Sequence, residues 1–226
     1  MNMRGLDIPF VRMGAVTTED LFEDREQEIF DFYEAHASRY RRAVDIGANV
    51  GIHSILMAHN GWEVVSYEPD QEHFAHLKIN ALANDAKIRA VCAAVSIVDG
   101  EGLFVRVHGN GTANHLAGSR LFYGGADKVR VPTVDCRPVF EWADFAKIDC
   151  EGHEAAILLA SPTDIECEFM VEVQDAMNAR AIFNHYAGKR EMWSQRGGWL
   201  PVENLQDMPS HYTDGAVFIG EDPCNR

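Results

Sequence analysis

The sequence lacks the long apolar run that a membrane helix needs. Although 46% of its 226 residues are hydrophobic, they nowhere form 18 consecutive apolar positions, so no helix is expected to cross a bilayer. The first 14 residues contain no apolar core of the kind found in secretory signals. The five cysteines are odd in number and form no CxxC pair, which argues against a disulfide framework or a zinc site. These absences predict a cytoplasmic protein with reduced thiols, no membrane partner and no bound metal.

Basic residues are also scarce, because 20 lysines and arginines stand against 35 acidic residues and the net charge is −15. Binding through nucleic-acid phosphates needs a cationic contact surface, so no nucleic-acid partner is expected. The one compact basic stretch, SRYRR at residues 38–42, is typical of a solvated helix end, where cations meet the negative end of the helix dipole.

What the sequence does contain is a regular alternation of strand and helix patterns. Helical spacing of apolar residues predicts helices over residues 17–38, 50–61, 70–85, 151–161 and 175–197. Short apolar runs predict strands over residues 42–47, 62–69, 87–96, 102–109, 128–135, 144–150, 167–174 and 215–223. Repeated strand–helix units imply a parallel sheet with helices on both faces. No linker or repeat divides the chain, so residues 1–226 are predicted to form a single domain.

Acidic residues stand at or near the ends of four predicted core strands. They are Asp45, Glu68, Asp149 and Glu172. In an open α/β sheet, ligands bind beyond the carboxyl ends of the strands, where the strand order reverses. We therefore expect these four carboxylates to lie at one functional edge of the sheet.

The first predicted strand leads into the turn G-x-N-x-G, formed by Gly47, Asn49 and Gly51. A dinucleotide site has glycine at the middle position, where the pyrophosphate approaches the backbone. Asn49 would crowd a pyrophosphate but leaves room for S-adenosylmethionine, whose amino-acid tail could bind at the helix N-terminus. Glu68 could accept both ribose hydroxyls, and Asp45 could orient the turn or meet the methionine ammonium. The alternative is a purely structural turn.

Five segments in order resemble the FkbM-type methyltransferases: VDIGANVGIHS, YEPD, AAVS, VPTVD and AKIDCEGHEAAIL. The resemblance spans roughly residues 40–175 and implies a Rossmann-like class I methyltransferase fold, a seven-stranded, mostly parallel sheet whose last strand is antiparallel. It also implies S-adenosylmethionine as cofactor. The cofactor positions carry over to Asp45, Gly47, Ala48, Asn49, Gly51 and Glu68, and the IDxEGxE positions to Asp149, Glu151, Gly152 and Glu154. Residues 1–39 are then a helical extension, 40–175 the cofactor-binding core and 176–226 a variable end.

Many family members methylate hydroxyl groups of sugars or polyketide-like products, so O-methylation of a carbohydrate or small natural product is predicted. Such an acceptor must be held in line with the methyl group and must lose its proton. Asp149 is predicted to position or deprotonate it, with Glu151 and Glu172 as further catalytic candidates and no His–carboxylate pair as a rival. Alternatively, Asp149 caps the next helix, and Glu154 is expected to be structural.

Three histidines are candidates for the acceptor side. His115 lies in a glycine-rich segment that is either a flap over the site or an exposed hairpin loop. His153 occupies a position where the family commonly has a small residue, and His211 precedes the last strand. Two other functions stay open: N-methylation of a small molecule or nucleic-acid component, and binding of a nucleoside without catalysis. The oligomeric state is not predicted.

Overall fold

The computed structural model describes residues 2–9, 12–13, 16–22, 24–120 and 124–225. In these ranges the α-helices are α1 (Asp24–Ala35), α2 (Ile52–His59), α3 (Gln71–Ala83), α4 (Cys136–Trp142), α5 (Glu154–Leu159) and α6 (Ala176–Tyr186). The strands are β1 (Asn2–Met3), β2 (Leu6–Asp7), β3 (Arg12–Met13), β4 (Val16–Thr17), β5 (Arg42–Ile46), β6 (Glu63–Tyr67), β7 (Ile88–Val91), β8 (Ala94–Ser96), β9 (Gly100–Val107), β10 (His115–Leu116), β11 (Ala126–Asp135), β12 (Phe145–Ile148), β13 (Glu168–Glu172), β14 (Met192–Ser194), β15 (Leu200–Pro201) and β16 (Ala216–Ile219).

Eight strands form the main sheet in the order β15-β14-β16-β13-β12-β5-β6-β7. Neighbours from β13 to β7 pair in parallel, whereas β16, β14 and β15 join by antiparallel pairing. The strand order reverses between β5 and β12. The predicted class, a Rossmann-like methyltransferase sheet with helices on both faces, is confirmed. The predicted count of seven strands is one too low, because the two residues of β15 add a strand at the edge.

Apolar side chains cover both faces of the main sheet. On one face, α4, α5 and α6 pack against strand residues such as Ile148 and Phe169. On the other face, α1 and α2 pack against Phe145 and Met170. Successive strand residues point to opposite faces. Burial on both faces therefore explains why these strands are nearly continuous apolar runs in the sequence.

A second sheet, β10-β9-β11-β8, interrupts the strand–helix alternation. The segment 87–96, predicted as one strand, divides into β7 in the main sheet and β8 in the second sheet. The chain turns between them, where the amide of Ala93 donates to the carbonyl of Val91 at 3.1 Å. A continuous apolar run cannot show that the strand changes its pairing partner. The glycine-rich segment, residues 110–127, contains β10. Residues 121–123 of this segment lie outside the described residues.

Two predicted helices are too long. The helix expected over 175–197 ends with α6, where the amides of Lys189 and Arg190 donate to the carbonyl of Tyr186; β14 then joins the sheet beside β16. The helix expected over 17–38 is represented by a 3₁₀ turn and α1. Two short hairpins, β1–β2 and β3–β4, precede it in the extension that was predicted to be helical.

The described ranges contain no helix of the length and apolarity that crossing a membrane requires. All five cysteines lie in the described ranges and are free thiols. In the basic stretch, Arg39 pairs with Glu168 at 2.7 Å and Arg42 with Asp144 at 2.9 Å, so two of its three cations are neutralised. The cytoplasmic location stays a prediction, as does the division of the chain into extension, core and variable end.

Phe145 of β12 lies at the centre of an aromatic cluster beneath α1. It is fully buried. Its ring centroid lies between 5.0 and 5.9 Å from four other rings, those of Phe32, Tyr33, Tyr40 and Trp62. Truncation of this side chain would leave a cavity against which several large rings must repack.

Phe145→Ala is therefore expected to lower the free energy of unfolding by about 3–5 kcal/mol, the cost of lost burial and a residual cavity. Leu82→Ala is the control, since the Leu82 side chain is 81% exposed, and its effect is expected to stay within about 0.5 kcal/mol. Urea unfolding followed by circular dichroism measures both. Equal losses in the two variants would contradict the packing described.

Candidate active site

The turns that follow β5 and β12 meet where the strand order reverses. These strands pair directly, and the helices that follow them, α2 and α5, pack on opposite faces, so a crevice opens between the turns. The amide of Asp149 donates to the carbonyl of Ile46 at 3.0 Å. A Cβ atom on Gly47 would lie 1.8 Å from the carbonyl oxygen of Asp149. Only glycine permits this approach, and its φ of +80° also favours glycine.

A cavity of about 320 Å³ opens at this crevice, within the size range of small-molecule sites. Its wall includes the turn residues Gly47, Ala48, Asn49 and Gly51. Near the end of β6, the main and second sheets contribute a mostly apolar wall of Tyr67, Ala94, Val95, Phe104 and Leu116. The cavity is also lined by α1 and the C-terminal part, through Arg25, Glu26, Ile29, Gln195 and Ala216.

Glu68 follows β6 and is buried in the cavity wall. Its Oε2 accepts the amide of Asn49 at 2.8 Å, and its Oε1 accepts the amide of Asp70 at 2.7 Å. Burial raises the pKa of Glu68 to about 8, although both amide bonds act in the opposite direction. Each carboxylate oxygen retains a further lone pair, so Glu68 can also accept hydroxyl groups from a bound ribose.

Asn49 provides a polar atom without a partner. Its backbone φ is +51°, and its Oδ1 is buried with no hydrogen bond in the described structure. Helix α2 has Gly51 as N-cap and no side-chain cap, so its first amides have no acceptor from the protein's side chains. A buried acceptor and uncapped amides next to Glu68 fit the amino-acid tail and ribose of S-adenosylmethionine.

Asp45 lies away from the cavity, in contrast to the other predicted cofactor positions. It is fully buried in β5, and its Oδ2 accepts the hydroxyl of Ser54 at 2.5 Å. The hydroxyl of Ser66 donates in turn to that of Ser54 at 2.7 Å. Asp45 is absent from the cavity wall. Of its two predicted roles, this placement fits orientation of the turn through α2 and does not fit contact with the methionine ammonium.

Lys147 of β12 is a buried cation among carboxylates, and the sequence interpretation missed its role. Its Nζ donates to Asp149 at 2.9 Å. Burial opposes its charge, but the carboxylates of Asp149, Asp45, Glu26 and Glu172 outweigh burial and raise the pKa of Lys147. The signal in the sequence is a lysine inside an otherwise apolar strand, since an unpaired buried charge is costly.

Asp149 does not cap α5, because the N-cap of that helix is His153. The carboxylate of Glu154 serves this turn instead: its Oε1 accepts the amides of Cys150 at 2.9 Å and Gly152 at 3.0 Å. Glu154 is fully buried, and burial raises its pKa to about 7. Its expected structural role agrees with these bonds, and the Asp149 side chain is left to face the cavity.

Glu151 and Glu172 also line the cavity. Glu151 forms an ion pair with Arg120, and burial together with the charge of Asp149 raises its pKa to about 8. For Glu172, burial and the neighbouring charges of Asp149 and Glu26 raise the pKa well above its usual value. The structure thus brings three of the four predicted strand-end acids, Glu68, Asp149 and Glu172, to one cavity, where Glu151 joins them. The fourth, Asp45, lies outside the cavity wall.

The three candidate histidines have different surroundings. His153 lines the cavity and lies 3.2 Å from the Ser96 hydroxyl and 3.0 Å from that of Ser119. His115 is buried in β10 and lies outside the cavity wall, whereas its neighbours Asn114 and Leu116 line it. The glycine-rich segment therefore borders the cavity, but the His115 side chain does not reach it. His211 is exposed at a 3₁₀ turn and is also absent from the wall.

A His–carboxylate pair that the sequence did not reveal lies in the same cavity. Nε2 of His53 is 3.0 Å from Oε2 of Glu26, and Nδ1 of His53 is 2.9 Å from the hydroxyl of Tyr33. Both His53 and Glu26 line the cavity. The expectation that no such pair accompanies Asp149 is wrong, because Glu26 comes from α1, distant in sequence. In the described part of the chain no group of three or more ligands is arranged for a metal ion.

The second sheet is joined to the cofactor side of the cavity through Asp70. This residue caps α3 by accepting the amides of Glu72 and His73. Nε of Arg106, on β9, donates to Oδ2 of Asp70 at 2.7 Å, and the side-chain amide of Asn114 donates to the same oxygen at 3.1 Å. One carboxylate therefore connects β9, the β9–β10 loop and the segment that follows Glu68.

Residues 45–196 match the family described as "Methyltransferase FkbM domain", and no curated protein matches the chain. The chain is similar to solved structures that include the following three. RsmC, the 16S rRNA N2 G1207 methyltransferase of T. thermophilus in complex with AdoMet and guanosine, is 11% identical (TM-score 0.49); the match covers 96% of this chain and 50% of that one. An O-methyltransferase from Bacillus cereus in complex with SAH is 10% identical, with a TM-score of 0.45; the match covers 86% of this chain and 81% of that one. Cofactor-bound Rv0187 from MTB is 13% identical, with a TM-score of 0.44; the match covers 85% of this chain and 78% of that one.

The family match covers more than half of the chain and includes both turns that form the crevice. The chain therefore belongs to the FkbM family of S-adenosylmethionine-dependent methyltransferases. At the identities and TM-scores given, the substrates of the three similar structures carry no information on the substrate of this chain.

Gly47→Ala is expected to destabilise the protein and abolish cofactor binding, because its Cβ would overlap the Asp149 carbonyl. Gly61→Ala is a matched control: Gly61 has a similar φ of +89°, and nothing lies within 4 Å of its Cβ position. The control should show only the cost of a left-handed alanine, about 1–2 kcal/mol. Urea unfolding and calorimetry with S-adenosylmethionine measure both variants. Identical behaviour of the two would show that the turns do not meet as described.

Proposed function

We propose that this protein transfers the methyl group of S-adenosylmethionine to a hydroxyl group of a carbohydrate or other small molecule. The observation that carries the proposal is the meeting of the two family turns at one cavity. Glu68 and Asn49 lie on one side of it, and Asp149, Lys147 and Glu172 lie on the other. Such a division suits a cofactor and an acceptor bound side by side.

The cofactor side would be formed by residues that already present suitable groups. Glu68 would accept the ribose hydroxyls, and the apolar wall at the end of β6 would contact the adenine. Asn49 and the first amides of α2 would hold the amino-acid tail. Bound there, the sulfonium of S-adenosylmethionine supplies an electrophilic methyl group. The chain itself has to orient the acceptor and exclude competing water.

On the acceptor side, Asp149 is the carboxylate best placed to orient a hydroxyl group. Lys147 fixes one of its oxygens at 2.9 Å, so the carboxylate cannot rotate freely while it accepts a hydrogen bond. In-line attack depends on such positioning, and a misplacement of about 1 Å can cost about 10²-fold in rate. Glu151 and Glu172 complete the acidic wall.

The charge of this wall supports a neutral acceptor. Glu26, Asp149, Glu151 and Glu172 would repel phosphate groups, whereas the hydroxyls of a sugar can donate to carboxylates. We therefore propose a small-molecule or carbohydrate acceptor and no nucleic-acid partner. The same wall would also admit an amine, so N-methylation of a small molecule is the second candidate.

Glu68→Gln tests the cofactor side. Ionised Glu68 is the stronger acceptor, and its pKa of about 8 means that ionisation is completed only above that pH. The affinity of the wild type for S-adenosylmethionine should therefore rise as the pH increases from 6 to 9. At pH 9 the variant should bind S-adenosylmethionine about tenfold to a hundredfold more weakly than the wild type. This loss corresponds to one charge-assisted hydrogen bond of roughly 1.5–3 kcal/mol. At pH 6 the difference between variant and wild type should be smaller. Calorimetry measures both, with exposed Glu63→Gln, at the other end of β6, as control.

Mass spectrometry with a deuterated methyl donor tests the reaction. The acceptor panel contains free sugars, methyl glycosides, polyols, phenols and matched amines, and a gain of one labelled methyl group on oxygen supports the proposal. Label on nitrogen alone would favour the second candidate. A protein that binds the cofactor and labels no compound would favour a binding module without catalysis.

Asp149→Asn should lower kcat by about 10²-fold through loss of acceptor alignment, while the affinity for S-adenosylmethionine changes little. The control is Asp164→Asn, since Asp164 is exposed and lies outside the cavity wall. Steady-state kinetics with the acceptor found in the panel, together with thermal melting, separate a catalytic effect from misfolding. Normal turnover in Asp149→Asn would assign the residue a purely structural role.

A further inference from the structure

Glu26 reaches the cavity from α1, which precedes the part of the chain that matches the family. A carboxylate accepts hydrogen bonds, so the His53 nitrogen that faces Glu26, Nε2, is the one that carries the proton. In a neutral imidazole Nδ1 is then an acceptor, and the Tyr33 hydroxyl lies 2.9 Å from it. Tyr33 is fully buried, and burial raises its pKa far above the usual value, so it keeps its proton. Tyr33 and His53 are thus hydrogen-bonded to each other, and Nε2 of His53 lies 3.0 Å from the Glu26 carboxylate at the cavity wall.

The other carboxylates on the acceptor side either pair with a cation or have a strongly raised pKa. Asp149 is bound to the Lys147 ammonium at 2.9 Å, and Glu151 is paired with a guanidinium. Burial and the charge of Asp149 raise the pKa of Glu172 well above its usual value, so this residue is less readily ionised than an exposed glutamate. Burial alone would also raise the pKa of Glu26, but the adjacent His53 nitrogen and the charges of Lys147 and Arg25 outweigh burial and lower that pKa. Glu26 is therefore ionised near neutral pH.

We propose that Glu26 is the catalytic base that receives the proton of the acceptor hydroxyl, with His53 and Tyr33 as positioning residues. This role rests on the proposed function. As the hydroxyl oxygen bonds to the methyl carbon, the carbon–sulfur bond breaks and its electron pair stays on sulfur. The O–H proton passes to a carboxylate oxygen of Glu26. A carboxylate and a sulfonium thus become a neutral acid and a neutral thioether, so the charge balances and no further reactant is required.

The test compares two variants that remove the same charge from α1. Glu26→Gln should lower kcat by about 10²–10⁴-fold, the usual effect of losing a general base, while cofactor affinity and melting temperature remain those of the wild type. Glu34→Gln is the control, because the Glu34 side chain is 62% exposed and pairs with Arg4; its kcat should be unchanged. His53→Gln should lower kcat less than Glu26→Gln and leave the KM for the acceptor unaltered.

Chemical rescue adds a measurement that a structural role would not affect. Glu26→Ala leaves space at the cavity wall, so added formate should restore part of its kcat by taking up the acceptor proton. Formate should not raise the kcat of Glu34→Ala or of Asp149→Asn. If Glu26→Ala fails to fold, Glu26→Gln with its melting curve and kcat still decides the role.

The outcomes distinguish this inference from the proposed function. If the wild type labels an acceptor and Glu26→Gln has normal kcat, Glu26 is not the base, although the methyltransferase activity stands. If the wild type binds S-adenosylmethionine but labels nothing in the panel, the proposed function fails and the role of Glu26 fails with it. A loss of kcat in Glu26→Gln without any response of Glu26→Ala to formate would also overturn the assignment.

Discussion

The acidic end of the cavity depends on one buried ammonium group, that of Lys147. Four carboxylates act on it, and its direct partner, Asp149, is 2.9 Å away. Removing such a group from water is costly, and its attraction to several acids offsets that cost. Without this cation, the repulsion among the acids would not be compensated. Lys147 therefore allows β12 to bring Asp149 to the same cavity as Glu172 while Asp45 stays buried in the adjacent strand.

The features that the sequence predicted are those encoded by residues close together in the chain. The spacing of Gly47, Asn49 and Gly51 locates the cofactor turn, because positive φ angles and the uncapped start of α2 are local properties. The acids Glu68 and Asp149 reached one cavity because parallel strands end at a common edge. Glycine is also required at position 47 for a non-local reason, because the carbonyl of Asp149 leaves no space for a side chain there.

The features that the sequence missed depend on contacts between distant segments. Glu26 is one acid among many in an acidic helix, and only the packing of α1 against α2 brings it to His53. The division of residues 87–96 between two sheets is a choice of pairing partner that an apolar run does not encode. Asp45 was expected at the cofactor because it lies near a strand end. In the sheet, however, Asp45 of β5 is paired with Lys147 of β12. His211, chosen by position alone, lies on the surface.

The shared carboxylate of Asp70 has a consequence for how the protein opens. It holds the first amides of α3 and, at the same time, the guanidinium of Arg106 on the second sheet. If that sheet detached, Asp70 would lose the cation that balances its charge while it caps α3. If α3 frayed, the sheet would lose its attachment to Asp70. The two elements therefore belong to one cooperative unit, and their slow amide hydrogens should exchange with solvent together. Local opening at the cofactor side of the cavity therefore involves α3 and the second sheet together and not the independent motion of one loop.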